Sequence, residues 1–166
     1  IYVVGPSGMG YLKRFSSSGT TTTAETTFAT NVSGKLSAAP TAVATDSSNN
    51  IYVVGDFTGK VKKFSSAGVE DTTFNSNAVA AALPNGALTV TVQTDGKVIV
   101  GGSFSGNLKR FNTNGTLDST FVYDNATGGA VKKAVVLSDG FILVGTTTTP
   151  FVKKVYSVFL APNTPG

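Results

Sequence analysis

Thr89-Val-Thr-Val-Gln-Thr-Asp-Gly-Lys-Val-Ile-Val-Gly-Gly-Ser-Phe104, continuing through Leu108-Lys-Arg-Phe-Asn-Thr-Asn-Gly-Thr-Leu-Asp-Ser-Thr-Phe121, holds the plan of the whole chain. A first strand, Leu88 to Gln93, runs into Asp95-Gly96, the strongest short hairpin signal. Val98-Ile99-Val100 follows, and a continuous apolar run of this length reads as a strand covered on both faces. Leu108-Lys109-Arg110-Phe111 reads as a third strand nearer solvent. Asn112-Thr113-Asn114-Gly115 is a turn, and Asp118 to Phe121 closes the unit.

The same order recurs along the chain. Apolar runs end in Gly at Tyr2-Val3-Val4-Gly5, Tyr52-Val53-Val54-Gly55, Val98-Ile99-Val100-Gly101 and Ile142-Leu143-Val144-Gly145. Those glycines stand 50, 46 and 44 residues apart. A basic pair follows in each: Lys13-Arg14, Lys62-Lys63, Lys109-Arg110 and Lys153-Lys154. Turns come next at Ser16 to Gly19, Ser65 to Gly68 and Asn112 to Gly115, then an acidic-Ser/Thr-Thr-Phe unit at Glu25–Phe28, Asp71–Phe74 and Asp118–Phe121. First strands are expected at Thr41 to Asp46, Leu88 to Gln93 and Ala134 to Leu137, with a weak fourth strand near the Thr-Thr-Phe units. Repeats of this length, each a small sheet buried on both faces, predict β-propeller blades. The fold class is therefore all-β: a β-propeller of about four repeats of 44–50 residues, near 1–40, 41–87, 88–130 and 131–160, with a linker-like tail at 161–166. A closed four-bladed ring and a share of a larger propeller or assembly both remain open.

Asp-Gly-Lys, an apolar run with Gly-Gly, an Arg-bearing strand, Asn-x-x-Gly and Leu-Asp-x-x-Phe together resemble the delta-60 repeat. The match is close from Thr89 to Phe121 and looser elsewhere. Asn49-Asn50 replaces Asp-Gly in the second unit, and the last unit lacks Gly-Gly and the closing Phe motif. The resemblance implies a β-propeller scaffold of secreted bacterial or phage structural proteins, with no shared reaction.

Composition supports an all-β chain. Val, Ile and Thr total 49 of 166 residues, and β-branched side chains favour strands over helices. One helical turn is expected, Ala78 to Leu83, stopped by Pro84. The chain has no Cys and no His, which removes disulfides, thiolate chemistry and the commonest general base and metal ligand. No apolar run reaches the roughly 18 residues of a membrane helix.

Candidate functional residues lie at repeat positions. Lys13, Arg14, Lys62, Lys63, Lys109, Arg110, Lys153 and Lys154 hold 8 of the 13 basic residues and would form an anionic-ligand ring. The bland alternative is that outer-strand lysines block edge pairing. Phe28, Phe74 and Phe121 are expected to insert between consecutive units, with Glu25, Asp71 and Asp118 capping turns. Asp46, Asp95 and Asp139 each offer one carboxylate in a turn, too few for Ca²⁺. Gly5 to Gly10 lacks the ending of a phosphate loop. Asn31, Asn114 and Asn125 head glycosylation-like triplets that such a composition produces by chance. No catalytic residue, metal ligand or cofactor is assigned.

The expected function is a non-catalytic structural or adhesive module of a virion or bacterial surface assembly, extracellular or on the virion surface. Its expected partners are other virion or surface proteins, including copies of itself; neither a membrane span nor nucleic acid is expected. The alternative is a lectin-like propeller recognising anionic surface glycans, with Tyr11 and Tyr123 as exposed aromatics. The first unit opens inside its second strand, so Ile1 to Val4 is expected to need an added strand, from Tyr156 to Leu160 or from a neighbour.

Overall fold

The computed structural model describes residues 1–6, 11–18, 21–81, 83–124 and 129–156. The strands are β1 (Tyr2–Val4), β2 (Leu12–Ser18), β3 (Thr21–Ala24), β4 (Pro40–Thr45), β5 (Ile51–Gly55), β6 (Val61–Phe64), β7 (Ala87–Val92), β8 (Val98–Gly102), β9 (Leu108–Phe111), β10 (Val131–Val136), β11 (Ile142–Thr146) and β12 (Val152–Val155). They make four three-stranded antiparallel sheets, ordered β1-β2-β3, β4-β5-β6, β7-β8-β9 and β10-β11-β12. Neighbouring sheets pack through β1 with β4, β4 with β7, and β7 with β10. The closing Tyr156–Leu160 strand expected from sequence falls almost wholly outside the described residues, as do Gly8 to Gly10, Asn125 and the 161–166 tail.

Strand pairing corrects the repeat alignment by one residue. Ile51 faces Phe64 across β5–β6, and Val98 faces Phe111 across β8–β9. Gly55 is thus equivalent to Gly102, while Gly101 stands where the second sheet has Val54. The reason is spatial. A Cβ at Gly101 would run into the side chains of Val131 and Thr89. In the second sheet Val54 shares its cluster with the smaller Ala87, the counterpart of Val131. Large and small residues have changed sides between the two junctions, and each keeps one valine at the contact.

The middle strands alternate in what they touch. Ile51 and Val53 join Leu12, Phe28 and Val32 in one cluster, with Tyr2 and Val4 packed against it. Tyr52, Val54 and Val61 join Val98, Val100 and Phe111 in the next. Ile99 and Leu108 join Ile142 and Val144 in the third. Each cluster therefore unites the forward face of one sheet with the rear face of the following one. Sheets two and three are covered twice, so every residue of β5 and β8 is buried. Sheets one and four are covered once. Val3 in β1 and Leu143 in β11 are exposed, contrary to four uniformly buried runs.

Two short helices occupy the first two Thr-Thr-Phe units: α1 (Thr26–Val32) and α2 (Thr72–Ala80), the latter reaching into the helical turn expected from Ala78 to Leu83. Thr, Asn and Ser are weak helix formers, so propensity hides them. The Asp71 side chain accepts from the Phe74 amide 2.9 Å away and caps α2, and burial of Phe74 and Ala78 holds it down. The expected fourth strand survives as β3 in the first sheet and shrinks to the single bridges Phe64–Glu70 and Phe111–Leu117 in the next two. Ser16 to Ser18 continue β2 rather than turning. Gly115, at φ +87°, lies against the backbone of Phe74, as Gly68 lies against the Phe28 ring. A side chain at either position would be both strained and obstructed.

Candidate functional site

The second residue of each of the first three basic pairs enters a repeated contact. The Arg14 guanidinium carbon lies 5.4 Å from the Phe28 ring centroid, and the side chain binds Glu25. Lys63 Nζ lies 5.8 Å from both the Phe74 and Tyr52 rings and 3.1 Å from Asp71. Arg110 lies 4.8 Å from the Phe121 ring, and its Nε donates to Asp118 at 2.9 Å. Base, acid and ring belong to the third strand and to the segment after it, so the triplet fastens that segment onto its own sheet. Sequence inspection finds the basic pairs and the acid-Phe units separately. Their pairing shows only when both are placed on adjacent chain segments.

The remaining members are distributed differently. Lys62 donates to Glu70 at 2.7 Å. Lys154 binds Asp139 at 3.0 Å and lies 3.8 Å from the Phe141 ring. Lys153 Nζ stands 5.9 Å from the Tyr123 ring. Lys13 and Lys109 make no ion pair among the described residues. The eight residues sit two to a sheet, and at least five of them, Arg14, Lys62, Lys63, Arg110 and Lys154, hold carboxylates of this chain.

The carboxylates show the same engagement. Burial pushes the Asp118 carboxyl up, but hydrogen bonds from Lys97 and Thr120 and the charge of Arg110 hold it well below the usual carboxylate range. Asp71 and Glu70 are lowered against their burial by Phe74 N–H and Lys63, and by Lys62, respectively. Asp46, Asp95 and Asp139 each accept from the amide two residues on, at Ser48, Lys97 and Phe141. That contact shapes the turn. Among the described residues no group of three or more His, Cys, Asp or Glu could hold a metal ion.

Phe28 and Phe74 are buried, Phe28 beside Tyr2 at 5.8 Å and Phe74 beside Tyr52 at 5.6 Å. Phe121 is only half-buried against the third cluster. At the first two junctions an Asn of the helix clamps the next sheet's turn: Asn31 Nδ2 donates to Ala67 O at 2.8 Å, and Asn77 Nδ2 to Asn114 O at 2.9 Å. At the third junction the described chain after Phe121 is not helical, and a cleft of about 380 Å³ opens between it and β12. Phe121, Tyr123, Asp124, Lys153, Lys154 and Tyr156 line it. Tyr123, expected to be exposed, is buried there, because its ring fills the cluster of Ile99, Val131 and Ile142. Among the described residues its hydroxyl has no hydrogen-bond partner, and burial beside Asp124 pushes it up from its ordinary value. Tyr11, the other aromatic named for exposure, is half-buried and packs against the first cluster.

Four successive antiparallel sheets stacked face to face, each fastened by its own ionic and aromatic contacts, define a four-bladed β-propeller-like repeat protein. Residues 93–121 match a family described as a beta-propeller domain of unknown function, DUF5122. That segment runs from the end of β7 through the turn carrying Phe121. No curated protein matches the chain. Among the described residues no helix is long and apolar enough to cross a membrane.

Proposed function

We propose that the chain is a non-catalytic structural or adhesive module of a virion or bacterial surface assembly, built from propeller repeats of the delta-60 type. The observation that carries this reading is the use of the chemistry-bearing side chains. Glu25, Glu70, Asp71, Asp118 and Asp139 all hold cations of the same chain, in a pattern that recurs sheet after sheet. Such an arrangement stabilises a scaffold and leaves its outer sheet faces for contacts. Immunogold electron microscopy on the native source tests this. Label on the particle or cell surface is expected; label on free cytosolic monomer would overturn it.

The cleft beside Tyr123 favours a second reading, a propeller that recognises anionic glycans. Aromatic rings and lysines supply the stacking platform and the counter-charge that a carboxylated sugar needs. On an array of acidic and neutral glycans, acidic ligands should bind, and Lys153→Ala should weaken them by about tenfold, the loss of one charge-assisted hydrogen bond. No signal above background on any glycan would remove this reading.

A further inference from the structure

We propose that Lys62 and Asn75 join in an intramolecular isopeptide bond, formed by the chain itself with Glu70 carrying the proton. The bond ties β6 to α2 inside the second repeat, at the helix whose Asn77 clamps the turn of the third sheet.

Three side chains meet at this point. Glu70 Oε1 accepts from Lys62 Nζ at 2.7 Å and from Asn75 Nδ2 at 3.0 Å. Amine and carboxamide thus share one oxygen atom. The Lys63 backbone holds the carboxamide at both ends. Asn75 Oδ1 accepts from the Lys63 amide at 2.7 Å, and Nδ2 donates to the Lys63 carbonyl at 3.4 Å. Asn75 is 7% exposed, and the Lys62 and Glu70 side chains are each 18% exposed. Lys35 Nζ approaches the other oxygen, Oε2, at 3.8 Å and leaves Oε1 to Lys62 and Asn75.

The repeats show that the fold does not require this cluster. Phe15, Phe64 and Phe111 are equivalent, and opposite them stand Ala24, Glu70 and Leu117. Asn75 follows Phe74 where Ala29 follows Phe28 and Val122 follows Phe121. Lys13 and Lys109 hold the place of Lys62. The first and third repeats therefore keep the lysine and form their sheets with an apolar residue at both other positions. Of these three repeats, only the second sets lysine, acid and amide together.

The reaction balances with no further reactant. Glu70 takes a proton from the Lys62 ammonium, which lies within the range for general-base transfer. The flexible lysine stem swings the free amine onto Asn75 Cγ. The Lys63 amide stabilises Oδ1 as it gains charge. The Nζ–Cγ bond forms and the Cγ–Nδ2 bond breaks. The nitrogen leaves as ammonium, with the proton returned by Glu70 and the one shed by the new amide.

Intact-mass spectrometry of the full 166-residue chain, incubated at neutral pH until its mass is constant, tests the proposal. The wild type should weigh one ammonia less than its sequence requires. Trypsin should release a branched peptide joining Lys62 to the segment that carries Asn75. Lys62→Arg and Glu70→Gln should each keep the full mass while folding like the wild type by circular dichroism. Lys62→Arg preserves the charge beside Glu70, so it decides alone if Glu70→Gln fails to fold. A wild-type chain at full mass would overturn the proposal. So would a branch at Lys35, or an ammonia loss that survives Lys62→Arg. A loss confined to Asn85-Gly86 or Asn114-Gly115 would overturn it too. There an asparagine closes on its own backbone, and hydroxylamine cleaves the resulting imide.

Discussion

Phe74→Ala should lower the unfolding free energy by about 3–5 kcal/mol, the range for emptying a fully packed aromatic site. Phe74 has no exposed surface, and it touches the Tyr52 ring edge-on at 5.6 Å and the Lys63 ammonium at 5.8 Å. The Gly115 turn of the third sheet closes over its backbone. Neither neighbour can easily collapse into the space. The turn is fixed by a positive φ and by Asn77 holding Asn114, and Tyr52 is pinned by its hydroxyl donating to Asp46 at 3.2 Å. Urea unfolding at neutral pH measures the loss. Phe121→Ala should cost clearly less, because Phe121 is half-buried where no following turn covers it. Equal losses at the two positions would show that the junctions are packed alike.

Arg110→Met should cost about 1.5–3 kcal/mol, the loss of a hydrogen bond to a buried charged group, because Asp118 then keeps the Lys97 ammonium at 2.8 Å. Asp118 and Arg110 side chains are both nearly inaccessible, and the pair is 2.9 Å long. The pH dependence identifies the group. An aspartate in the unfolded chain titrates near ~3.9, and Asp118 in the folded protein is held well below its ordinary value. A folded-state value that is depressed contributes stability above the unfolded value and loses it as pH falls toward the folded one. The wild type should therefore lose stability progressively below about pH 4. Asp118→Asn, which cannot titrate, should show a shallower fall over that interval. Parallel stability curves for the wild type and Asp118→Asn would remove Asp118 as the source of the acid sensitivity.

The repeated order of apolar run, basic pair, turn and acid-Phe unit was enough to specify small antiparallel sheets, their number, and the burial of the second and third on both faces. Period-2 burial and turn chemistry are local properties, written wherever a strand meets Asp-Gly or Asn-x-x-Gly. The sequence also marked Phe28 and Phe74 as apolar anchors at fixed spacing. It concealed α1 and α2, since Thr-Thr-Phe-Asn-Ser-Asn carries little helix propensity and its helix is held by a cap and by burial against the next sheet. It misaligned Gly101 with Gly55, because the exchange of volume between Val54–Ala87 and Gly101–Val131 appears only when two sheets face each other. It presented Arg110 and Asp118 as members of separate motifs, although they meet across a chain reversal. Exposure at the two outer faces was likewise beyond it. Val152 and Leu108 have the same local setting, and what separates them is whether another sheet stands in front.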